Sequence, residues 1–215
     1  YYTVDGQSLG ERNPKTLQDD YVKFLRFAQW KIHKAGQGVV AMITNHSYLD
    51  NPTFRGMRQS LMKTFDEIYI LDLHGNSLKK ETAPDGGRDE NVFDIRVGVA
   101  IVFLLKQNKN AKPNNKMKHS DLFGLRSKKY HYLTKNLLNT TPWEEIHPLP
   151  KFYFFMPRDS SSEKDYYRFP SITDIFIQYS SGIKTHRDHF VYDIDKSALL
   201  RRISQLRDLS ITDDI

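Results

Sequence analysis

The stretch Asn51-Pro52-Thr53-Phe54 contains residue types that could grip an exocyclic amino group. A side-chain amide oxygen and a nearby backbone carbonyl can accept the two amino hydrogens while an aromatic ring stacks on the attached base. Enzyme loops known to grip an amino group in this way follow a strand directly. Here the apolar run Val39–Thr44 ends seven residues before Asn51, Thr53 replaces the second proline such a loop carries, and Phe54 shares a helical stripe with Met57, Leu61 and Phe65. Asn51 is therefore expected to cap a helix with Pro52 at its first position, where the missing N–H costs nothing. Asn13-Pro14-Lys15-Thr16 follows no strand and opens a helix. Neither stretch is a catalytic loop.

Other chemical signals are thinner. His186 and His189 stand three apart with no third ligand or glutamate-bearing helix beside them, so no metal site is expected. Pro84-Asp85 with Glu90 lacks the Glu-x-Lys of a nuclease and reads as a turn, and Gly86-Gly87 starts no helix that could hold a phosphate.

The elements that would position a site follow from periodicity. Residues 16–34 read as a helix with Thr16 at its cap, because Leu17, Tyr21, Phe24, Leu25, Ala28 and Ile32 recur at helical spacing. Gly-Val-Val-Ala-Met-Ile-Thr (38–44) reads as a parallel strand buried on both faces. Residues 67–73 form a second strand, 74–90 a polar excursion, and 92–106 a third strand bent at Gly98. A short strand then runs into a helix capped by Ser127, with Tyr130, Leu133 and Leu137 inward. Beyond the Pro-rich segment Thr141–Pro150, taken as a domain boundary, come a strand at 151–157, a short helix through Ile172, Ile175, Phe176 and Tyr179, a strand at 189–195 and a helix capped by Asp195. The pattern is α/β, with an antiparallel pair at one edge of an otherwise parallel sheet.

The 215 residues contain no cysteine, which excludes a disulfide framework and thiolate metal sites and fits a reducing cytosol. No apolar run approaches the roughly 20 residues of a membrane span. The start at Tyr1 suggests a piece of a longer chain. The net charge is +6, but residues 106–135 carry nine basic side chains against Asp121 alone. Such a cluster attracts polyphosphates by counterion release, or is a solvated lysine-rich face.

Four blocks narrow the reading: DDYVKFLRFAQWKI, the long GVVAMITNHSYLDNPTFRGMRQSLMKTFDEIYILDLHGN, PDGGRDENVFDIRVGVAI and SSGIKTHRD. Together they closely resemble the adenine-specific (N6) DNA methyltransferase region of bacterial restriction–modification proteins, most of all the single-polypeptide Type I (Type ISP) enzymes, over most of residues 11–190. The resemblance implies the C-terminal half of a Rossmann-like, S-adenosylmethionine-dependent methyltransferase sheet at 1–141, followed at 142–215 by a smaller α/β segment that begins a target-recognition domain. The family's S-adenosylmethionine motif and Asn-Pro-Pro-Tyr loop precede the matched region, so the chain alone is expected to be inactive. It also implies double-stranded DNA and the upstream half of the same domain as partners, and the bacterial cytoplasm as location.

Ligands of such sheets sit beyond the carboxyl ends of the strands. Asn45, His46, Ser47 and Tyr48 are thus candidates for a cofactor or base-pocket wall, or else an ordinary strand-to-helix loop. The resemblance places Phe123 where an aromatic packs on a flipped adenine; core packing is the alternative. Arg126, Lys128 and Lys129, at a strand–helix junction in the basic run, are candidates for phosphate contact, as are Lys184, Thr185 and Arg187, which otherwise form a solvated turn. A non-enzymatic DNA-binding module is the competing function.

Overall fold

The computed structural model describes residues 1–107, 116–178 and 185–210. A two-residue hairpin, β1 (Thr3–Val4) and β2 (Gln7–Ser8), precedes a 3-10 turn at Lys15–Gln18 and helix α1 (Asp20–Ala35). The helix starts at the Asp19 cap, so Thr16 lies inside the turn that precedes it. Gly36 ends it at φ +81°, a left-handed conformation that glycine adopts without cost.

Strand β3 (Gly38–Asn45) leads through a 3-10 turn to the predicted cap: Asn51 Oδ1 accepts from Thr53 N at 2.9 Å. A second 3-10 turn, Pro52–Phe54, runs into α2 (Arg55–Thr64), and Phe54, Met57, Leu61 and Phe65 are all buried, as their spacing predicts. Then come β4 (Glu67–Asp72), the irregular excursion, β5 (Val99–Lys106), β6 (Lys116–Asp121), α3 (Arg126–Lys135) and the two-residue β7 (Glu144–Glu145).

These strands form one sheet in the order β3-β5-β4-β6-β7. Strand β5 runs antiparallel between β3 and β4, while β4 and β6 are parallel. The antiparallel strand is therefore internal and β3 lies at the edge, which corrects two expectations. Val40 and Thr44 are buried, but Val39, Ala41 and Ile43 point to the exposed face, so β3 is not buried on both sides. On the covered face Val40, Ile68, Ile70, Val102, Leu104 and Met117 meet Leu25, Phe54, Met57 and Leu61 in the main core. Each such large apolar side chain contributes about 1.5–3 kcal/mol by leaving water.

Three further expectations are corrected. The third strand begins only at Val99: residues 92–98 are irregular and carry the chain past His46 and Leu78, whose backbone N–H groups donate to the carbonyls of Gly98 and Arg96. Helix α3 starts at Arg126 rather than after a Ser127 cap, and Tyr130 and Leu137 are exposed; Leu133 faces inward as expected, with Tyr132 beside it against the sheet. Residues 151–157 are irregular, with Lys151 and Tyr153 at positive φ.

Packing divides the chain at Asp159/Ser160 rather than in the 141–150 segment. The reason is physical: β7 pairs with β6, and Ile146 and Phe155 are buried in the main core. The second unit, from Ser160, has α4 (Glu163–Tyr166), α5 (Ile172–Ile175), α6 (Asp188–Val191) and α7 (Lys196–Arg207). Here α6 stands in place of the expected strand at 189–195, while Asp195 caps α7 as predicted, accepting from Ser197 N at 2.8 Å. Tyr179 lies outside the described residues. No helix among the described residues is long and apolar enough to cross a membrane.

Candidate functional site

The register brings the carboxyl ends of β3, β4 and β6 to one rim of the sheet: Asn45 pairs with Val99, and Asp72 with both Ala100 and Asp121. The polar side chains of His46, Asp72, His74, Asn76 and Asp121 converge there. Asp72 is the hub. It accepts from His46 Nδ1 at 3.0 Å and from the His74 backbone N–H at 2.9 Å. His46 Nε2 in turn accepts from Asn76 Nδ2 at 3.0 Å, which fixes the tautomer of the ring. Gly98 is required beside it, because a Cβ there would lie 2.3 Å from the His46 ring.

His74 bridges this cluster to Phe123. Its Nε2 donates to Asp121 Oδ1 at 2.8 Å, and its ring stacks on Phe123 with centroids 3.7 Å apart and planes 16° from parallel. Burial alone would lower the pKa of His74. The bond to Asp121, with the charges of Glu81 and Asp72, outweighs burial and pushes it up to about 9. Asp121 moves the other way: burial would raise it, but the bond to His74 holds it below the usual carboxylate range. A cation thus backs one face of the Phe123 ring.

Behind this rim a second buried pair fastens the excursion. Lys129 Nζ is 2.7 Å from Asp89 Oδ1, with both side chains wholly buried, and it also donates to the carbonyls of Leu73 and Glu90 at 2.7 Å. Asp89 accepts from the backbone N–H groups of Gly75 and Gly124, 2.6 and 2.7 Å away. One carboxylate therefore ties the loop after β4 to the loop carrying Phe123.

The candidates read from sequence fall in different places. His46 and Phe123 meet at the rim through His74, their common neighbour. Asn45 caps the following turn, accepting from Ser47 N at 2.8 Å and Ser47 Oγ at 2.7 Å. Tyr48 is fully buried against Tyr21 and Phe155 and forms core rather than an open wall. Lys129 is buried too, so the phosphate contact expected of it does not fit its position. Arg126 binds Asp94 at 2.8 Å and the carbonyls of Asn91 and Phe93, while Lys128 is exposed. In the second unit Thr185 accepts from the Arg187 backbone N–H and hydrogen-bonds Asp188; Arg187 is exposed, and Lys184 lies outside the described residues.

Sequence reasoning missed Asp72, His74, His119 and Asp121. The available signal was position: Asp72 and Asp121 each end a strand, where ligands of open sheets gather. Donor atoms of His46, Asp72 and His74, and of Asp72, His119 and Asp121, lie within 4.8 Å of one another in each trio.

No protein-family model and no curated protein matches this chain. Solved structures do. The ATP-dependent Type ISP restriction–modification enzyme LlaBIII bound to DNA aligns with a TM-score of 0.69 and 27% identity over 91% of this chain and 14% of that one. A nuclease-deletion mutant of the Type ISP enzyme LlaGI, in complex with a DNA substrate mimic, aligns at 0.67 and 26% over 88% and 18%. The DrdV–DNA complex aligns at 0.65 and 28% over 87% and 19%. The chain thus spans less than a fifth of each of these three proteins. It is similar to a region of restriction–modification enzymes, and its mixed α/β sheet fits a fragment of one.

Proposed function

We propose that this chain supplies the C-terminal half of the adenine-methylating domain of a restriction–modification enzyme, with the unit from Ser160 onward beginning its target-recognition domain. The complete polypeptide would transfer a methyl group from S-adenosylmethionine to N6 of adenine in double-stranded DNA, and the target base must leave the stack to be reached.

The observation that carries this reading is the sheet itself. An antiparallel strand threaded between two parallel ones, with β3 lacking a second partner among the described residues, fits a sheet continued by strands from the upstream half. Exposed Val39 and Ile43 along that strand support it, as does the likeness to DNA-bound restriction–modification enzymes. In this arrangement the rim forms part of the base pocket. Phe123, backed on one face by His74, stacks on a flipped base and Lys128 touches phosphate; in the second unit, taken by itself, Arg187 is the candidate phosphate contact. S-adenosylmethionine and the catalytic loop are held mainly by the upstream half; these residues orient the base and exclude water.

The test is transfer of labelled methyl to duplex DNA by the polypeptide that carries this chain. Label recovered as N6-methyladenine supports the assignment. DNA binding without any transfer supports a recognition module instead.

A further inference from the structure

His119 is 1% exposed, and neither of its ring nitrogens has a hydrogen-bond partner among the described residues. A buried imidazole left in that state gives up its hydration at both nitrogens and gains nothing in return. Its surroundings are anionic. Nδ1 faces Asp121 Oδ2 at 3.7 Å, beyond hydrogen-bond reach, and the Asp72 carboxylate completes a trio of donors within 4.8 Å of one another.

The backbone aligns these three side chains. His119 and Asp121 stand two apart on β6 and so share a face of the sheet; Asp72 is the register partner of Asp121 on the adjacent parallel strand. Each carboxylate is also held from outside by a histidine: His46 on Asp72 and His74 on Asp121. Outer partners of this kind orient the ligands of metal sites.

We propose that Asp72, His119 and Asp121 bind a first-row divalent transition-metal ion of the zinc class. One imidazole nitrogen with two carboxylate oxygens suits zinc, cobalt or manganese, whereas magnesium and calcium are served by oxygen alone. Tetrahedral zinc brings its donors roughly 3.4 Å apart, from bond lengths near 2.1 Å. The trio must therefore close slightly, and Asp121, with 41% of its side chain exposed, has room to swing inward. The same exposure gives the ion its entry path and leaves a coordination position to solvent. This site does not depend on the methyltransferase assignment.

The experiment is titration of the chelator-treated 215-residue chain with zinc chloride by calorimetry, and with cobalt chloride by visible absorption. The proposal expects one ion per chain, d–d bands of a nitrogen–oxygen cobalt site, and a higher unfolding midpoint with zinc. His119→Gln should weaken binding by more than about a hundredfold, since loss of an outer partner alone costs about 10- to 100-fold. Asp121→Asn, at the exposed mouth of the cluster, should do likewise with unchanged circular dichroism, and it decides the matter if His119→Gln does not fold. A His186→Gln/His189→Gln double variant should bind like the parent chain. No zinc binding, or zinc binding that survives Asp121→Asn, overturns the proposal.

Discussion

Lys129 and Asp89 meet at 2.7 Å with both side chains excluded from solvent, and through them the loop after β4 is bound to the loop that carries Phe123. Removing one member of such a pair leaves an uncompensated buried charge. Lys129→Met is expected to lower stability by about 3–5 kcal/mol. Replacing both partners with apolar residues should cost less than the sum of the single changes. Urea unfolding of the two single variants and the double variant measures this.

Gly98 lets the chain pass directly under His46. Gly98→Ala places a carbon 2.3 Å from the imidazole, so the ring must move and its bonds to Asp72 and Asn76 loosen. The expected loss is about 1–3 kcal/mol, as for other overpacked sites. The His46 ring resonances should shift in nuclear magnetic resonance spectra while those of His186 and His189 stay in place.

Arg58 is wholly buried, and its guanidinium donates to the carbonyls of Tyr48, Asn51 and Phe152. It fastens residues 150–155 to the first unit, although they contain no regular element. Arg58→Met leaves these carbonyls unpaired, at about 1–3 kcal/mol for each group left buried. Trypsin should then cut at Lys151 faster than in the parent chain, which limited proteolysis with mass spectrometry reads directly.

If Phe123 stacks on the extruded base, Phe123→Ala removes about 1–3 kcal/mol of stacking. Methyl transfer by the complete polypeptide should fall about 5- to 150-fold. His74→Ala, which removes the backing of the ring, should lower it by less. Unchanged transfer in the Phe123 variant would remove that residue from the site.

Much of the first unit was legible in the sequence because local signals carry it. The Asn51 cap and the Phe54–Phe65 stripe depend on residues a few positions apart, and both form, as does the Asp195 cap in the second unit. What was not legible depends on pairing between distant segments. An apolar run such as 38–44 has the same composition whether it is central or at an edge, and only the insertion of β5 beside it decides which. Likewise, Asp72 and Asp121 become neighbours only through the parallel ladder, so no spacing rule could join them to His119. In the second unit the segment at 189–195 alternates like a strand but forms a helical turn, and none of its described hydrophobic side chains is buried to enforce either choice.

The central claim is that the outer edge of β3 is completed by a strand from the longer polypeptide. Amide hydrogen exchange of residues 38–45, in this chain alone and within the polypeptide that carries it, addresses that claim most directly. The amides not bonded to β5 should exchange freely in the chain alone and become strongly protected in the larger protein. Equal exchange in both would contradict the half-sheet account, and the methyltransferase assignment that rests on it.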